Sequence, residues 1–400
     1  MMKLSQETNS VFMETQAIYS RYKMFRDKMP VYPFKTPNGE VIYFISRYED
    51  VVQAMKDKRL SKKNPNTSGK DMLMKKYPFT KKFDRRIQDL DPPDHTRLRK
   101  MVSSMFQGKG IKDIESDIRK TAVELLNDLP RQDSIDIVQH FCIPLPIIVI
   151  SKILGFPARD FEQISEWSHA MVPLLDGSLG NGAIAGFKAF EELTVYLEWL
   201  IEEKRNNPAN DLTSLLVNEN GEQSLTENEV FSMVEIVMNA AHMTTSNLLS
   251  NGLFLLLTHP NAYERLTWDS ALLPDAIEEI LRFESPVQAI DYYTKEDIEI
   301  AGRRIEKDKH LALLIGSANR DEAIFEHPDV FDITRDHNKH ITFGGGIHLC
   351  LGALLARTEA KIAFDVLLTR YPKMRLTGPQ PSYREGYNLR GISNLHVSLY

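Results

Sequence analysis

The run Phe343-Gly344-Gly345-Gly346-Ile347-His348-Leu349-Cys350-Leu351-Gly352 constrains this chain more than any other stretch. Glycine enters the φ > 0 region without strain, so three in succession predict a tight turn whose N–H groups converge on one concavity. The helix expected to start near Leu351 adds the positive end of its dipole. A cysteine held in such a nest has a depressed pKa and acts as a metal ligand or a nucleophile. An ordinary turn around a small buried thiol is the alternative.

At 400 residues and 42% hydrophobic content the chain can bury a large core. A net charge of −6 argues against bulk nucleic-acid binding. The two cysteines, Cys142 in an apolar run and Cys350 in the glycine loop, sit in contexts too different for a disulfide framework, so a reducing compartment is expected. Residues 1–29 are interrupted by Lys3, Glu7, Glu14, Arg21, Lys23 and Arg26, which does not suit a signal peptide or membrane anchor. A soluble, cytoplasmic chain without a membrane partner is expected.

Hydrophobic periodicity predicts helices over residues 11–29, 49–56, 95–106, 114–127, 147–154, 187–205, 226–257, 275–282 and 351–368. Strand signals fall at 41–46, 299–315 and 395–400. No repeat or interdomain linker interrupts the chain. The fold class expected is mainly α: one domain over residues 1–400, an α-helical bundle with a small β-rich region. Residues 61–88 and 176–186 lack clear periodicity and are expected to be surface loops or lids over a cleft.

Phenylalanine, glycine, histidine, cysteine and glycine, spaced as they are here, resemble the haem-binding loop F-x-x-G-x-H-x-C-x-G of the cytochrome P-450 family. The resemblance extends over essentially residues 10–400. It implies that Cys350 is the proximal ligand to the iron of haem b, with Phe343, Gly345 and His348 also against the cofactor. Glu279 and Arg282, at i,i+3 on one helix face, would on their own be an ordinary surface pair. With Arg335 they resemble the family's E-x-x-R motif and third arginine, which implies a structural triad that fixes the cysteine loop. His95 and Arg99 match its H-x-x-x-R element and are expected to bind the haem propionates. The two segments without periodicity correspond to its B–C and F–G regions, which admit substrate.

The long helix predicted over 226–257 carries Ala240, Met243 and Thr244 on one face by their spacing. It resembles the family's oxygen-binding helix, A-G-x-[DE]-T, with Ala240, Met243 and Thr244 at the catalytic positions. Methionine stands where the family has an acid that helps to relay protons. Tyr292 stands where relatives usually place a propionate-binding arginine; a phenol donates one hydrogen bond and no charge.

The function this implies is O2-dependent monooxygenation, hydroxylation or epoxidation, of a hydrophobic small molecule, a secondary metabolite such as a polyketide, peptide or terpenoid. Met243 motivates an alternative within the same chemistry, a non-inserting oxidation (desaturation or coupling) or peroxide-driven turnover. A haem protein that only binds a ligand or gas is the alternative of another class. The substrate pocket expected by family position comprises Ile87, Met171, Val172, Met238, Asn239, Val287, Ala289 and Ile392. Arg85 and Arg86 are expected to be a solvated cluster or to read an acidic group on a substrate or carrier protein. Electrons are expected from a separate ferredoxin or flavodoxin and its reductase, docking near Arg97, Lys100 and Arg357.

Overall fold

A computed structural model describes residues 17–36, 39–66, 75–175, 181–218, 224–384 and 388–400, without side-chain detail at 109, 169, 172–175 and 181–183. Helices α1 (Ile18–Lys28), α2 (Tyr48–Lys56), α3 (Asp94–Val102) and α4 (Lys109–Asn127) follow the predicted periodicity to within a turn except at the start of α4 and at the start of α1, where residues 11–16 of the expected helix lie outside the described residues. Then come α5 (Pro144–Leu154), α6 (Phe161–Leu175), α7 (Asn181–Asn206), α8 (Leu212–Asn218) and α9 (Glu227–Thr258). The remainder are α10 (Pro260–Trp268), α11 (Leu273–Phe283), α12 (Ile315–Ala318) and α13 (Ala353–Arg370).

The residues explain the boundaries. Pro144 and Pro146 do not delay α5, because a first-turn proline lacks only an N–H that would have no helical partner. Gly155 closes the same helix in the left-handed region at φ 76°. Helix α11 buries Ala276, Ile277, Ile280 and Leu281, an i, i+1, i+4, i+5 stripe. Helices α6, α8 and α10 were not apparent in the periodicity. In α6 the sequence mixes Glu162, Trp167, His169 and Pro173 through the apolar positions, which blurs the pattern.

The β-structure is larger than the sequence signals. Strands β1 (Val31–Lys35), β2 (Val41–Ile45), β3 (Leu60–Ser61), β5 (Ala289–Thr294) and β8 (His310–Leu314) form one sheet in the order β1-β2-β8-β5-β3. Strand β4 (Ile135–Asp136) pairs with β10 (His396–Ser398), which also pairs with β9 (Arg375–Leu376). Strands β6 (Ile298–Ile300) and β7 (Arg303–Ile305) form a hairpin. β1 escaped notice because Pro33 removes a ladder donor, which an edge strand tolerates.

The chain divides into two compact units. The first comprises Met1–Pro65, Asp128–His140 and Thr244–Tyr400, and holds every strand named above. Two parts of its core among the described residues are Ile18, Tyr22, Phe25, Phe44 and Leu314 between α1 and the sheet, and Val51, Met55, Tyr292, Leu311 and Leu313 between α2 and the sheet. The second, Asn66–Asn127 with Phe141–Met243, is helical; helix α9 contributes to both.

Of the two segments expected to be loops, residues 67–74 and 176–180 lie outside the described residues. Residues 181–186 are not loop but the first turns of α7, and 78–83 and 87–89 form 3-10 turns. Among the described residues no helix is long and apolar enough to cross a membrane.

Candidate active site

Three supports hold the segment that carries Cys350, all within the first unit. The deepest is the Glu279 carboxylate on α11. Arg282 meets it one turn on, Nε to Oε2 at 2.7 Å and Nη2 to Oε1 at 2.8 Å, and both side chains are 0% exposed. Arg335 donates to the same two oxygens from Nε at 3.2 and 3.1 Å. The Asp332 N–H and the Asn338 side-chain amide also donate to this carboxylate. The guanidiniums turn their other donors to backbone carbonyls, Arg282 to Asn319 and Pro328, Arg335 to Glu326 and Val330. Each buried charge thus has partners on all sides, the condition under which burial is tolerated.

Asn319 is the second support. Its Oδ1 accepts from the Ile341 N–H at 2.8 Å, while its Nδ2 donates to Thr342 Oγ1 at 2.9 Å and Ser285 Oγ at 2.8 Å. Thr342 in turn donates to the Leu281 carbonyl at 2.7 Å. The chain entering the cysteine loop is therefore tied to α11 one residue before Phe343.

The third support is Glu278. Arg357 on α13 grips it with two donors, each at 2.7 Å, and lays its guanidinium 4.3 Å from the centre of the Phe343 ring. His340 Nε2 lies 2.9 Å from Oε2, the same oxygen that accepts from Arg357 Nη2. Burial alone would raise the Glu278 pKa, but hydrogen bonds and charge from Arg357 and His340 hold it down at about 2.

The loop itself departs from the expected nest. Gly344 and Gly346 take φ 74° and 63°, but Gly345 is extended at −166°, so only two of the three glycines need φ > 0. At Gly346 space matters as well: a Cβ there would stand 2.5 Å from the Met55 carbonyl oxygen. The Cys350 N–H donates to the Phe343 carbonyl at 2.9 Å and closes the loop. Helix α13 begins at Ala353, two residues later than Leu351, because the chain first completes a turn at 351–352. The Cys350 side chain is exposed, with Ile347 and Leu349 half-exposed beside it.

Tyr292 on β5 brings its ring to 6.4 Å from that of His348, edge to face at 75°. On α9, Ala240 is exposed and Thr244 partly exposed, whereas Met243 is buried at 5%. Met243 therefore does not share the open face with its two neighbours in the motif.

In the second unit His95 is buried in the first turn of α3. Burial and then the charge of Arg99, one turn along and partly exposed, lower the His95 pKa and favour its neutral form. Arg86 forms a two-armed pair with the fully buried Glu235, 2.7 and 2.5 Å, and Glu235 also accepts from Asn239 Nδ2 at 2.6 Å. Arg85 pairs with Asp94 and Glu229, and Arg97 with Glu229. The expected solvated cluster at Arg85 and Arg86 is thus corrected: buried carboxylates on α9 take up both guanidiniums. Arg97 and Arg357 likewise are engaged in ion pairs, which leaves Lys100 as the exposed member of the proposed docking set.

The expected pocket residues divide. Met171, Met238, Asn239 and Ile392 are buried, and Ile87 and Val287 are partly exposed. The Val172 side chain lies outside the described residues. Ala289 is corrected: strand alternation turns it away from Ile290 and into the core cluster of Ile18, Phe25 and Leu314.

The sequence profile described as Cytochrome P-450 matches residues 8–391. The polyketide biosynthesis cytochrome P-450 PksS of Bacillus subtilis (strain 168) is 36% identical over 386 residues, covering 94% of each chain. The chain belongs to the cytochrome P-450 family. Its fold agrees with a solved P-450BioI in complex with an acyl carrier protein ligated to hexadec-9Z-enoic acid, TM-score 0.88 at 32% identity over 97% of this chain and 99% of that one. It agrees equally with the tirandamycin C-bound P-450 monooxygenase TamI, TM-score 0.88 at 35% identity over 98% of both. The chain is therefore a P-450 oxidoreductase, mainly α with small sheets.

The family implies a haem iron, and the residues present fit one. An exposed sulfur is a soft donor suited to iron. The half-exposed Ile347 and Leu349 give it an apolar rim, and Gly346 holds the loop where any Cβ would collide with α2. Sequence reasoning missed Glu278 and Thr342 and did not foresee the bracing roles of Asn319 and Arg357. The available signal was that Arg357 falls about two helical turns beyond Cys350, where it can reach back over the loop.

Proposed function

We propose that this P-450 inserts oxygen from O2 into a hydrophobic small molecule, that Cys350 would hold the iron of haem b, and that the whole 400-residue chain serves that one site. The observation that carries the proposal is the exposed Cys350 on a loop braced through Phe343, Thr342 and Glu278 to α11 and α13. Bound haem, reduced by a partner protein, supplies the oxygen chemistry. The bracing holds the Cys350 sulfur in one position, where it would serve as the ligand that keeps the haem iron in place.

His95, Arg99 and His348 are proposed to meet the propionates, His95 as a neutral donor and Arg99 as a cation. Thr244, partly exposed on α9, is proposed to hold a water that passes protons toward the oxygen, with Ala240 leaving room beside it. Ile87, Met171, Val172, Met238, Asn239, Val287 and Ile392 are proposed to line the pocket; their predominantly apolar character supports a hydrophobic substrate. Relatives named for polyketide biosynthesis, for biotin biosynthesis and for an acyl carrier protein complex support a secondary metabolite or carrier-bound acyl chain as substrate class. A separate ferredoxin or flavodoxin with its reductase is the proposed electron source, and the cytoplasm the proposed compartment.

A second outcome is favoured by one residue. Met243 brings no proton and is buried, so the relay must run through Thr244 and water alone, and a non-inserting or peroxide-driven oxidation becomes competitive. Reconstitution with ferredoxin, reductase and NADPH, with ligands first selected by their shift of the haem spin state, tests both outcomes. Met243→Asp is expected to raise product formed per NADPH by about threefold, a small part of what a positioned acid contributes. No rise would show that the relay does not depend on this position, and a product lacking added oxygen would favour the second outcome.

A further inference from the structure

Hydrogen bonds at residues 341 and 342 hold the chain that enters the cysteine loop, and one of them ends on an ionisable side chain. Ile341 gives its N–H to Asn319 Oδ1, and the Thr342 hydroxyl goes to the Leu281 carbonyl, both neutral acceptors. The Thr342 N–H turns back instead to His340 Nδ1 at 3.2 Å, closing the kind of turn that Asn and Asp side chains make with the backbone two residues on. The other ring nitrogen, Nε2, meets Glu278 Oε2 on α11 at 2.9 Å.

These two partners assign the tautomer. A backbone N–H only donates, and a carboxylate already gripped by Arg357 only accepts, so a neutral imidazole fits with its lone pair at Nδ1 and its proton at Nε2. His340 thereby ties a charged group on α11 to the backbone of the loop. Its side chain is 3% exposed, so water does not compete for either nitrogen.

The same carboxylate governs the ring that opens the cysteine loop. Both of its side-chain partners lie against Phe343, the His340 ring centre at 6.1 Å and the Arg357 guanidinium at 4.3 Å. The Phe343 carbonyl then accepts the Cys350 N–H at 2.9 Å. From α11 to Cys350 the connection runs through Glu278, the imidazole, the Thr342 peptide and the Phe343 carbonyl.

We propose that His340 is a positioning residue for Cys350, the rigid link through which the Glu278 carboxylate fixes the backbone at Thr342 and, through Phe343, the cysteine sulfur. This rests on the reading of Cys350 as the haem ligand.

Hydrogen exchange of backbone amides in the purified holoenzyme, read together with its carbon monoxide spectrum, tests this without any turnover. His340→Leu is expected to speed exchange over residues 341–350 about tenfold, as loss of a charge-assisted hydrogen bond would give, and to leave β1, β2 and β8 at the parent's rates. Its thiolate-type spectrum is expected to give way to that of a displaced ligand about tenfold faster than the parent's, in urea too dilute to unfold the parent. His340→Asn and His340→Gln separate the two arms. The Asn Oδ1 can stand where Nδ1 stood and is expected to recover most of the protection; the Gln amide reaches only toward Glu278 and is expected to recover little.

Unchanged exchange over 341–350 in His340→Leu overturns the proposal. Acceleration spread equally over α11, α13 and the sheet also overturns it, since His340 would then only pack the fold, and so does a His340→Asn no better protected than His340→Leu. A spectrum as durable as the parent's, with protection lost, overturns it as well, because the loop would then move without disturbing the sulfur. A parent that shows no thiolate-type spectrum overturns the haem reading, while exchange still reports whether His340 holds the loop, which distinguishes the two failures.

Discussion

Single side chains at this site act through the charges set against them. Glu278 is the clearest case, because its folded pKa of about 2 lies below the ordinary 4.5. A carboxylate with a depressed folded pKa stabilises the fold above its unfolded value, and that contribution fades as pH falls from about 4.5 to 2. The difference corresponds to about 3 kcal/mol as an order of magnitude. Glu278→Gln is therefore expected to lower the melting temperature at neutral pH and to flatten the acid limb of a stability-against-pH curve; an unchanged acid limb would remove Glu278 from the linkage. Glu279 and Arg282 were legible from the sequence because helical spacing places them together, whereas the partner of Glu278 was not. Arg357 is distant in sequence, and a lone arginine reads as a solvated cation until the fold delivers a carboxylate to it.

Between elements, what matters is the distance at which the cysteine loop and α2 meet. Gly346 combines φ 63° with a Cβ position 2.5 Å from the Met55 carbonyl oxygen. Gly346→Ala would pay about 1–2 kcal/mol for the left-handed backbone alone, and the collision with Met55 adds to that. The expected result is a folded protein whose thiolate-type carbon monoxide spectrum is largely replaced by that of a displaced ligand; a spectrum at full intensity would show that the loop has more room than its geometry indicates. Long helices such as α9 could be recognised from periodicity because a single face repeats over many turns. The short or mixed elements could not: β5 alternates only partly, since its outer residues are half-covered, and β1 carries Pro33.

At the level of the whole molecule, Glu279 connects α11, the segment of Asp332 and Arg335, and Asn338 on the approach to the cysteine loop. Glu279→Ala would leave Arg282 buried without its carboxylate, a change that typically costs about 3–5 kcal/mol. We expect cooperative unfolding at markedly lower denaturant concentration and poor haem retention in the same variant, measured by circular dichroism and by the ratio of haem to protein absorbance. Normal stability would show that the guanidiniums find other partners. The sequence by itself determined the chemistry of this protein: a cysteine in a glycine loop, the acid–arginine helix pair and a helix with threonine at its middle are local patterns, written in residues close together in the chain. Tertiary structure alone decided which charges meet. Arg357 reaches Glu278 and Arg86 reaches Glu235 only after the helices pack, because a Coulomb contact depends on separation in space and sequence spacing beyond a helical turn does not encode it.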